Sequence, residues 1–408
     1  MASWSGQSTP LQFTIGLTFI APAAQPRLQS LSRVYRDAVY RGLDAEGCHF
    51  RLARQLQQAG LDAAFELTLR EEDCEDDPYR TRALATTIRC NKTLRIIDPY
   101  TMPETAPAPA WLSSYADGLA DILLPLRYWV VKPPPPYYVS PWSNPSRRLC
   151  WTELRTPNLF EAEVAAGLPR VEQALGIAQG AAHGGLDSLG GLYVDVSPIS
   201  GLTLRQAQCA VTLVALLEVG LLFPLSTGCR RDRHGALLDC AKIFLYQRAP
   251  RAADEGFVRD MTDYLPADLL AAYDNREMLR LWGLPDLSDV SVMVEAETEG
   301  LRCALNVKGH PHPDGSIRHS LEFSYAEASF SKTHVAQWTV LILTIVKVAC
   351  LPPARFRDVV ACLCQIKPPY DRPRWEYLLR QLKNAAPGNM GYEIDEAYWV
   401  ERRLLYEG

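Results

Sequence analysis

The first indication of the fold comes from the stretch QFTIGLTFIAP, which runs from Gln12 to Pro22. Apolar and small residues alternate along it, as they do in a β-strand with one buried face. The apolar side chains are those of Phe13, Ile15, Leu17 and Phe19. The other face carries Gly16 and Thr18, although a glycine inside a strand normally weakens it. The sequence therefore predicts a strand whose second face has to stay small at these two positions.

The composition is that of an ordinary globular protein. The chain has 408 residues, of which 48% are hydrophobic and 22% charged, a balance typical of folded domains. This length suits one large domain or two smaller ones. The formal net charge is −5, which argues against a general nucleic-acid binder, because such a protein would present a basic face. We therefore expect no nucleic-acid partner.

The cysteines and the start of the chain point to a cytoplasmic protein. The eleven cysteines lack metal-ligand spacing, because the one close pair, Cys362 and Cys364, has no second pair to complete a zinc site. We expect no secretory signal, since no basic segment precedes an apolar one. The most apolar run, Val335 to Leu351, contains Lys347 and is shorter than a bilayer span. We therefore expect a buried helix there, no membrane span, and free thiols in a reducing compartment.

Strand and helix patterns are mixed along the chain, which predicts an α+β fold. A long apolar helix is expected from Leu204 to Phe223, with Glu218 as a charge deep inside it. Period-two patterns predict further strands at Ala64 to Leu69, Leu126 to Val131, Leu149 to Pro157 and Leu192 to Ser197, and a hairpin of Arg302 to Val307 with Ser316 to Phe323.

Two stretches resemble metal sites in composition. The acidic run EEDCEDD, Glu71 to Asp77, precedes Pro78 and is interpreted as a solvated loop rather than a metal-binding helix. His310 and His312 fall in the predicted hairpin turn. Two histidines in this spacing could hold a metal, but no third ligand is near, so an exposed turn is the preferred interpretation.

The order of these elements resembles one family, the fungal amidoligases of the glutamine synthetase and glutamate–cysteine ligase type. The resemblance is carried by element order and apolar pattern in FTIGLTFIAP, WTELRTP, GGLYVDVSPISGLTLRQAQCAVTLVALLEVGLLFPL, HSLEFSYAEASF and HVAQWTVLILTIVKVA, between Gln12 and Ala349. It implies a curved antiparallel sheet that cradles ATP and two metal ions, with helices packed behind it. We expect this domain over residues 12–350, followed by a helical C-terminal extension, 351–408, packed on the same domain.

The metal-binding motifs of that family are degenerate here. The family's first strand carries two glutamates that bind metal, and the matching positions are Gly16 and Thr18. Its middle strand carries two histidines, and the matching positions are Tyr193 and Asp195. Magnesium needs several hard oxygen ligands. The resemblance therefore implies a ligase site without its metal.

The phosphate-binding motif is also changed. The family's arginine corresponds to Ser324 and its nearby histidine to Ala326, whereas Glu153, Glu218 and Glu322 remain. Without the arginine, the site should bind Mg·ATP poorly. Loss of bulk and charge together predicts a larger, less polar pocket that suits a small lipophilic metabolite, with no cofactor.

Strand alternation predicts which side chains line this cavity. The candidate catalytic residues are Tyr193, Asp195, Glu153 and Glu322, and the candidate substrate-binding residues are Gly16, Thr18, Trp151, Arg155 and Ser324. Arg155 could pair with one of the acids. Another acid could stay protonated through burial and like charge, and so donate a hydrogen bond. The alternative is that these residues are structural and satisfy one another.

Three functions follow from this cavity. The first is a repurposed enzyme without ATP or metal: an isomerase or cyclase, such as a Diels–Alder catalyst, that holds a hydrophobic small molecule of fungal specialised metabolism in reactive geometry. The second is an ATP-dependent amide ligase, and the third is a noncatalytic binding protein. The sequence specifies neither the substrate nor the oligomeric state.

Overall fold

The computed structural model of the chain describes residues 9–22, 44–69, 93–97, 128–134, 149–182, 190–226, 234–240, 261–271, 276–295, 297–298, 301–311, 316–366 and 374–407. The acidic run at 71–77 and His312 lie outside these residues.

One large, open sheet dominates the described chain. Its strands are β1 Leu11–Pro22, β2 Ala63–Leu69, β3 Thr93–Ile97, β4 Trp129–Lys132, β5 Leu149–Arg155, β6 Leu159–Phe160, β7 Gly191–Pro198, β10 Leu305–Pro311 and β11 Ile317–Glu327. A separate short hairpin joins β8 Glu297–Thr298 to β9 Leu301–Arg302. The order across the large sheet is β10-β11-β7-β1-β5-β4-β2-β3, and β6 also pairs with β1. Neighbours are antiparallel except β2 and β4.

The described residues also form α-helices between and after these strands. They include α1 Asp44–Gln58, α2 Glu161–Ala165, α3 Pro169–Ala181, α4 Leu204–Leu217, α5 Ala267–Ala271, α6 Arg276–Trp282, α7 Leu287–Val294, α8 Lys332–Ala349, α9 Pro353–Gln365, α10 Arg374–Ala385 and α11 Glu396–Glu407. Mixed helix and strand content with a largely antiparallel sheet confirms the α+β class. The ligase fold itself stays a prediction.

The hydrophobic core lies against one face of the sheet. The apolar side of β1, which includes Phe13, Ile15 and Leu17, joins one cluster with α4 and α8. Helix α8 is buried along nearly its whole length, so the predicted buried helix at Val335 to Leu351 is confirmed. Its internal charge is neutralised, because the Lys347 ammonium lies 2.8 Å from the Glu161 carboxylate.

One described helical run, Leu204–Leu225, is long and apolar enough to cross a membrane. Its most apolar window has a mean hydropathy of 1.9, and 72% of that window is buried inside the fold. A core helix passes the same test, so length and composition alone do not make this run a membrane span.

The C-terminal helices pack on the same core. Trp399 of α11 meets Trp338 of α8 edge to face, with ring centroids 5.2 Å apart, a favourable aromatic geometry. Arg402 of α11 also pairs with Glu327 at the end of β11. These contacts join α11 to the sheet, whereas the domain division at residue 350 stays a prediction.

Helix α4 ends in a π-helical turn, Glu218–Leu222, and not in a regular α-helical turn. A Cβ atom at Gly220 would lie 2.6 Å from Leu378 of α10, so glycine allows the close approach of the two helices. The turn holds the Glu218 carboxylate in the core, where it accepts hydrogen bonds from the Tyr325 hydroxyl at 2.6 Å and the Leu237 backbone N–H at 2.7 Å. Burial outweighs these two bonds and raises the pKa of Glu218 to about 7.

We expect Glu218 to make the protein less stable as the pH rises. Its pKa is higher in the folded state, so its contribution is complete below about pH 4.5 and is lost as the pH rises through about 7. The shift corresponds to roughly 3 kcal/mol. Urea unfolding between pH 4.5 and 8 should show this loss in the native chain and not in Glu218→Gln, whose amide can keep both partners. Glu295→Gln, at the exposed end of α7, is the matched control, and equal pH slopes for all three proteins would contradict the assignment.

Candidate functional site

Strand β1 lies between β5 and β7, and its register decides which side chains meet. Gly16 lies opposite Arg155 on one side and opposite Tyr193 on the other. Thr14 lies opposite Asp195, and Asp195 lies opposite Glu322 of β11. Directly opposed residues of antiparallel strands share a face of the sheet. We call this the front face; the other face of β1 enters the hydrophobic core.

A small cleft opens on the front face, with a volume of about 300 Å³ when the open space at its mouth is included. Six of the nine predicted site residues are among those that line it: Gly16, Glu153, Arg155, Tyr193, Asp195 and Glu322. The cleft is also lined by Thr14, Lys132 and Lys308. Its enclosed part has room for only about one or two water molecules. The described cleft is therefore smaller and more charged than the lipophilic pocket expected from the sequence.

Tyr193 occupies the space above Gly16. A Cβ atom at Gly16 would lie 2.8 Å from the Tyr193 ring, closer than real Cβ contacts, so the ring position requires glycine. The ring is only 3% exposed, and its hydroxyl hydrogen-bonds to the Thr18 hydroxyl. The small face of β1 is therefore covered by a tyrosine, and Thr18 is buried beneath the cleft instead of lining it.

Each of the three front-face acids has a cation beside it. The Arg155 guanidinium lies 2.7 Å from the Asp195 carboxylate, and the Lys132 ammonium lies 3.5 Å from the Glu153 carboxylate.

The third pair joins Lys308 of β10 to Glu322 of β11. All three carboxylates are largely buried, and the six charges cancel. The cleft is thus strongly polar and locally neutral.

Asp195 is held ionised within this arrangement. Its burial opposes the charge, but the nearby His310 side chain and the positive charge of Arg155 outweigh burial and hold its pKa below the ordinary value. Arg155 is itself oriented by Thr14, whose hydroxyl accepts from its Nε and Nη2 at 3.2 and 3.1 Å. Asp195 is therefore not the protonated acid that the sequence suggested could donate a hydrogen bond.

His310 lies at the edge of the cleft, within strand β10, so its placement in a turn was wrong. Its Nε2 atom is 2.7 Å from the Ser320 hydroxyl and 3.6 Å from Asp195 Oδ2. Because both contacts involve the same nitrogen, these three residues do not form a serine–histidine–aspartate triad, which uses the two nitrogens separately. The imidazole is 45% exposed, so Asp195 can fix its tautomer while the ring faces solvent.

Two other predicted residues lie away from the cleft lining. The Ser324 hydroxyl is buried and donates to the Ala304 carbonyl at 2.9 Å. A register shift between Phe323 and Ala326 interrupts the alternation of β11 here, as a β-bulge does. Trp151 shares the face of Glu153 but is 7% exposed and is not among the lining residues.

Lys132 and Lys308 were not among the predicted site residues, and His310 was assigned to a turn instead of the front face. The predicted strands ended at Val131 and Val307, because a proline run follows Lys132 and a Gly/Pro turn was placed after Lys308. One signal was available: Lys308 and His310 are two residues apart, and in the structure they lie opposite Ser320 and Arg318 of β11. If the alternation of the strand is continued through Gly309, Lys308 and His310 both fall on the front face.

The acids of the front face are the obvious candidates to hold a metal, and their pairing with cations works against that role. Lysine and arginine donate to carboxylate oxygens that a metal would need. Within the described residues, no group of three or more His, Cys, Asp or Glu side chains is arranged to hold a metal ion.

We expect Gly16→Ala to destabilise the fold by about 1–3 kcal/mol, the usual cost of overpacking a core. The added methyl would force the Tyr193 ring away from Thr18. Gly388→Ala is the control, because a Cβ atom there meets nothing within 4 Å. Denaturant unfolding of Gly16→Ala, Tyr193→Leu and the double variant should show a double cost smaller than the sum. Additive costs would mean that the ring does not impose the glycine.

Comparison of the chain with family models, curated proteins and solved structures gave no match.

Proposed function

We propose that the front-face cleft binds the polar group of a small organic molecule, and that the chain is an isomerase or cyclase that uses neither ATP nor metal. The observation that carries this proposal is the pairing of Glu153, Asp195 and Glu322 with Lys132, Arg155 and Lys308. The protein supplies its own counter-charges here, and a site with compensated charges can orient a polar substrate without a bound cation.

This pairing favours the metal-free proposal over the ligase. An ATP-dependent ligase needs divalent cations on its carboxylates and cationic groups on the phosphates. In this cleft, a divalent cation would have to displace ammonium or guanidinium groups from largely buried carboxylates. Breaking such a pair leaves an uncompensated charge and typically costs about 3–5 kcal/mol.

His310 is the group best suited to move a proton. Asp195 is ionised and only 3.6 Å from Nε2, which favours the tautomer with hydrogen on Nε2 and a lone pair on Nδ1. The ring can then take a proton from one position of a substrate and return it to another, while Asp195 stabilises the imidazolium. Such a transfer changes no redox state and consumes no co-substrate, as an isomerisation requires.

The charged lining refines the substrate class. A carboxylate or carbonyl group would meet Lys132, Arg155 and Lys308 at the cleft, whereas the lipophilic body proposed from the sequence would remain outside the enclosed part. We therefore propose an amphipathic metabolite with a polar head. The cyclase alternative relies on the same head to hold the reacting carbons in place.

We expect no binding of Mg·ATP at physiological concentrations. Isothermal calorimetry with Mg·ATP, with Mg²⁺ alone and with ATP alone should give no heat of binding. Micromolar affinity that Glu153→Gln or Glu322→Gln abolishes would instead support the ligase and overturn the metal-free proposal.

Turnover tests the catalytic proposal directly. A thermal-shift screen of carboxylic acids and ketones with apolar rings or chains should find a ligand, and mass spectrometry and NMR should show its conversion to an isomer. His310→Gln should then lower kcat by about 10²–10⁴-fold with little change in melting temperature. His319→Gln is the matched control, because His319 lies on the same hairpin but opposite Gly309 on the other face.

Two results would contradict the proposal. A ligand bound but never converted would identify a noncatalytic binding protein. Full activity in His310→Gln and Asp195→Asn would place the chemistry outside this cleft.

A further inference from the structure

Two buried thiols meet where helix α1 packs on strand β5. Cys48 lies in the first half of α1 and Cys150 near the start of β5. Both sulfur atoms are also close to the Thr152 hydroxyl, Cys48 at 3.9 Å and Cys150 at 3.8 Å. The Cys150 thiol further donates to the Ala21 carbonyl at 3.4 Å. Two cysteines far apart in sequence thus share one polar contact in the core.

The surroundings shift the pKa values of the two thiols in opposite directions. The neighbouring Cys150 thiol lowers the pKa of Cys48 to about 7, and Thr152 and the positive charge of Arg51 add to this against the effect of burial. The neighbouring Cys48 side chain and burial raise the pKa of Cys150 well above its ordinary value. A thiolate is the reactive form of cysteine, so Cys48 is the nucleophile of the pair and Cys150 the thiol that stays protonated.

We propose that Cys48 and Cys150 are a redox-active pair that hydrogen peroxide converts into a reversible disulfide. Cys48 is only 1% exposed and Cys150 6%. Burial of this degree favours an oxidant as small as hydrogen peroxide over a protein disulfide. This proposal is independent of the function assigned to the cleft.

The chemistry balances in two steps. The Cys48 thiolate attacks one peroxide oxygen, the O–O bond breaks, and with one proton the products are Cys48 sulfenic acid and water. Cys150 sulfur then attacks the Cys48 sulfur, the S–OH bond breaks, and the Cys150 proton leaves with hydroxide as a second water. Two thiols are oxidised and one peroxide is reduced. The product ties α1 to the strand that carries Glu153 and Arg155.

A second pair of cysteines, Cys240 and Cys303, can be compared with Cys48 and Cys150 in the same chain. The Cys303 thiol lowers the pKa of Cys240, but burial and the neighbouring carboxyl groups of Glu218 and Asp239 oppose that shift. Arg51 gives the first pair a positive neighbour, whereas Asp239 gives the second pair a negative one. We therefore expect the first pair to oxidise faster.

Peptide mapping of the native chain tests the proposal. Reduced protein is treated with hydrogen peroxide, the remaining thiols are blocked with N-ethylmaleimide, and the peptides are analysed by mass spectrometry. The expected result is a Cys48–Cys150 linked peptide that forms before any Cys240–Cys303 link and disappears on treatment with dithiothreitol. A Cys48 that stays free while other cysteines oxidise, or a link that forms first at Cys240–Cys303, would overturn the proposal.

Two sets of variants test whether the disulfide forms through a Cys48 sulfenic acid and whether Arg51 promotes that step. In Cys150→Ser, the sulfenic acid should persist at Cys48 and be trapped by dimedone. Arg51→Gln should slow oxidation several-fold, whereas Arg54→Gln, at another exposed arginine on the same helix, should leave the rate unchanged. Absence of dimedone labelling in a folded Cys150→Ser protein would contradict the proposed first step, and equal rates for the two arginine variants would contradict the role of Arg51.

Discussion

The ion pair between Arg155 and Asp195 sets the main constraint on this structure. Arg155 belongs to β5 and Asp195 to β7, so the pair crosses the whole width of β1, two strand spacings or roughly 9–10 Å. The two side chains still meet at 2.7 Å, because β1 presents only Thr14 and Gly16 beneath them. Thr14 also accepts hydrogen bonds from the guanidinium. A larger residue on this face of β1 would separate the two charges and leave the largely buried Asp195 carboxylate without its guanidinium partner.

The same constraint explains why the face of β1 that carries Gly16 and Thr18 is covered by other side chains. Once Gly16 leaves room, the neighbouring Tyr193 ring lies over it and reaches Thr18. The space beside Gly16 and Thr18 is therefore filled by the tyrosine and crossed by the arginine. The enclosed part of the cleft is small for this reason, and the charged pairs define its character.

Sequence reasoning succeeded where period two is enforced by burial. In β1, β5 and β7, one face is apolar core and a slip of one residue would expose it, so the pattern predicts which side chains share a face. It failed at Ser324, where a bulge interrupts the alternation, and in β10, where Gly309 was interpreted as part of a turn. Bulges leave no simple mark in the sequence, because they depend on the partner strand.

The cation partners were harder to predict than the acids. Glu322 could be recognised as a buried acid from its own strand, but its partner Lys308 comes from the neighbouring strand and Lys132 reaches Glu153 from β4. Such pairings depend on which strands are neighbours. The order of nine strands arises from contacts between residues far apart in the sequence, which local patterns do not encode. Local patterns thus predicted the acids and the face on which they lie. Their cationic partners can be identified only once the strand order is known.

The division of each strand into two faces separates the fold from the chemistry. On β1 the odd-numbered residues Phe13, Ile15 and Leu17 are core, whereas Thr14 and Gly16 belong to the cleft. Substitutions on the cleft side do not change the apolar core residues, so the same sheet can carry entirely different cleft side chains. A resemblance carried by element order and apolar pattern therefore concerns only the core faces of these strands. The chemistry of this chain depends on the side chains of the opposite face, where Glu153, Asp195 and Glu322 each have a cation beside them.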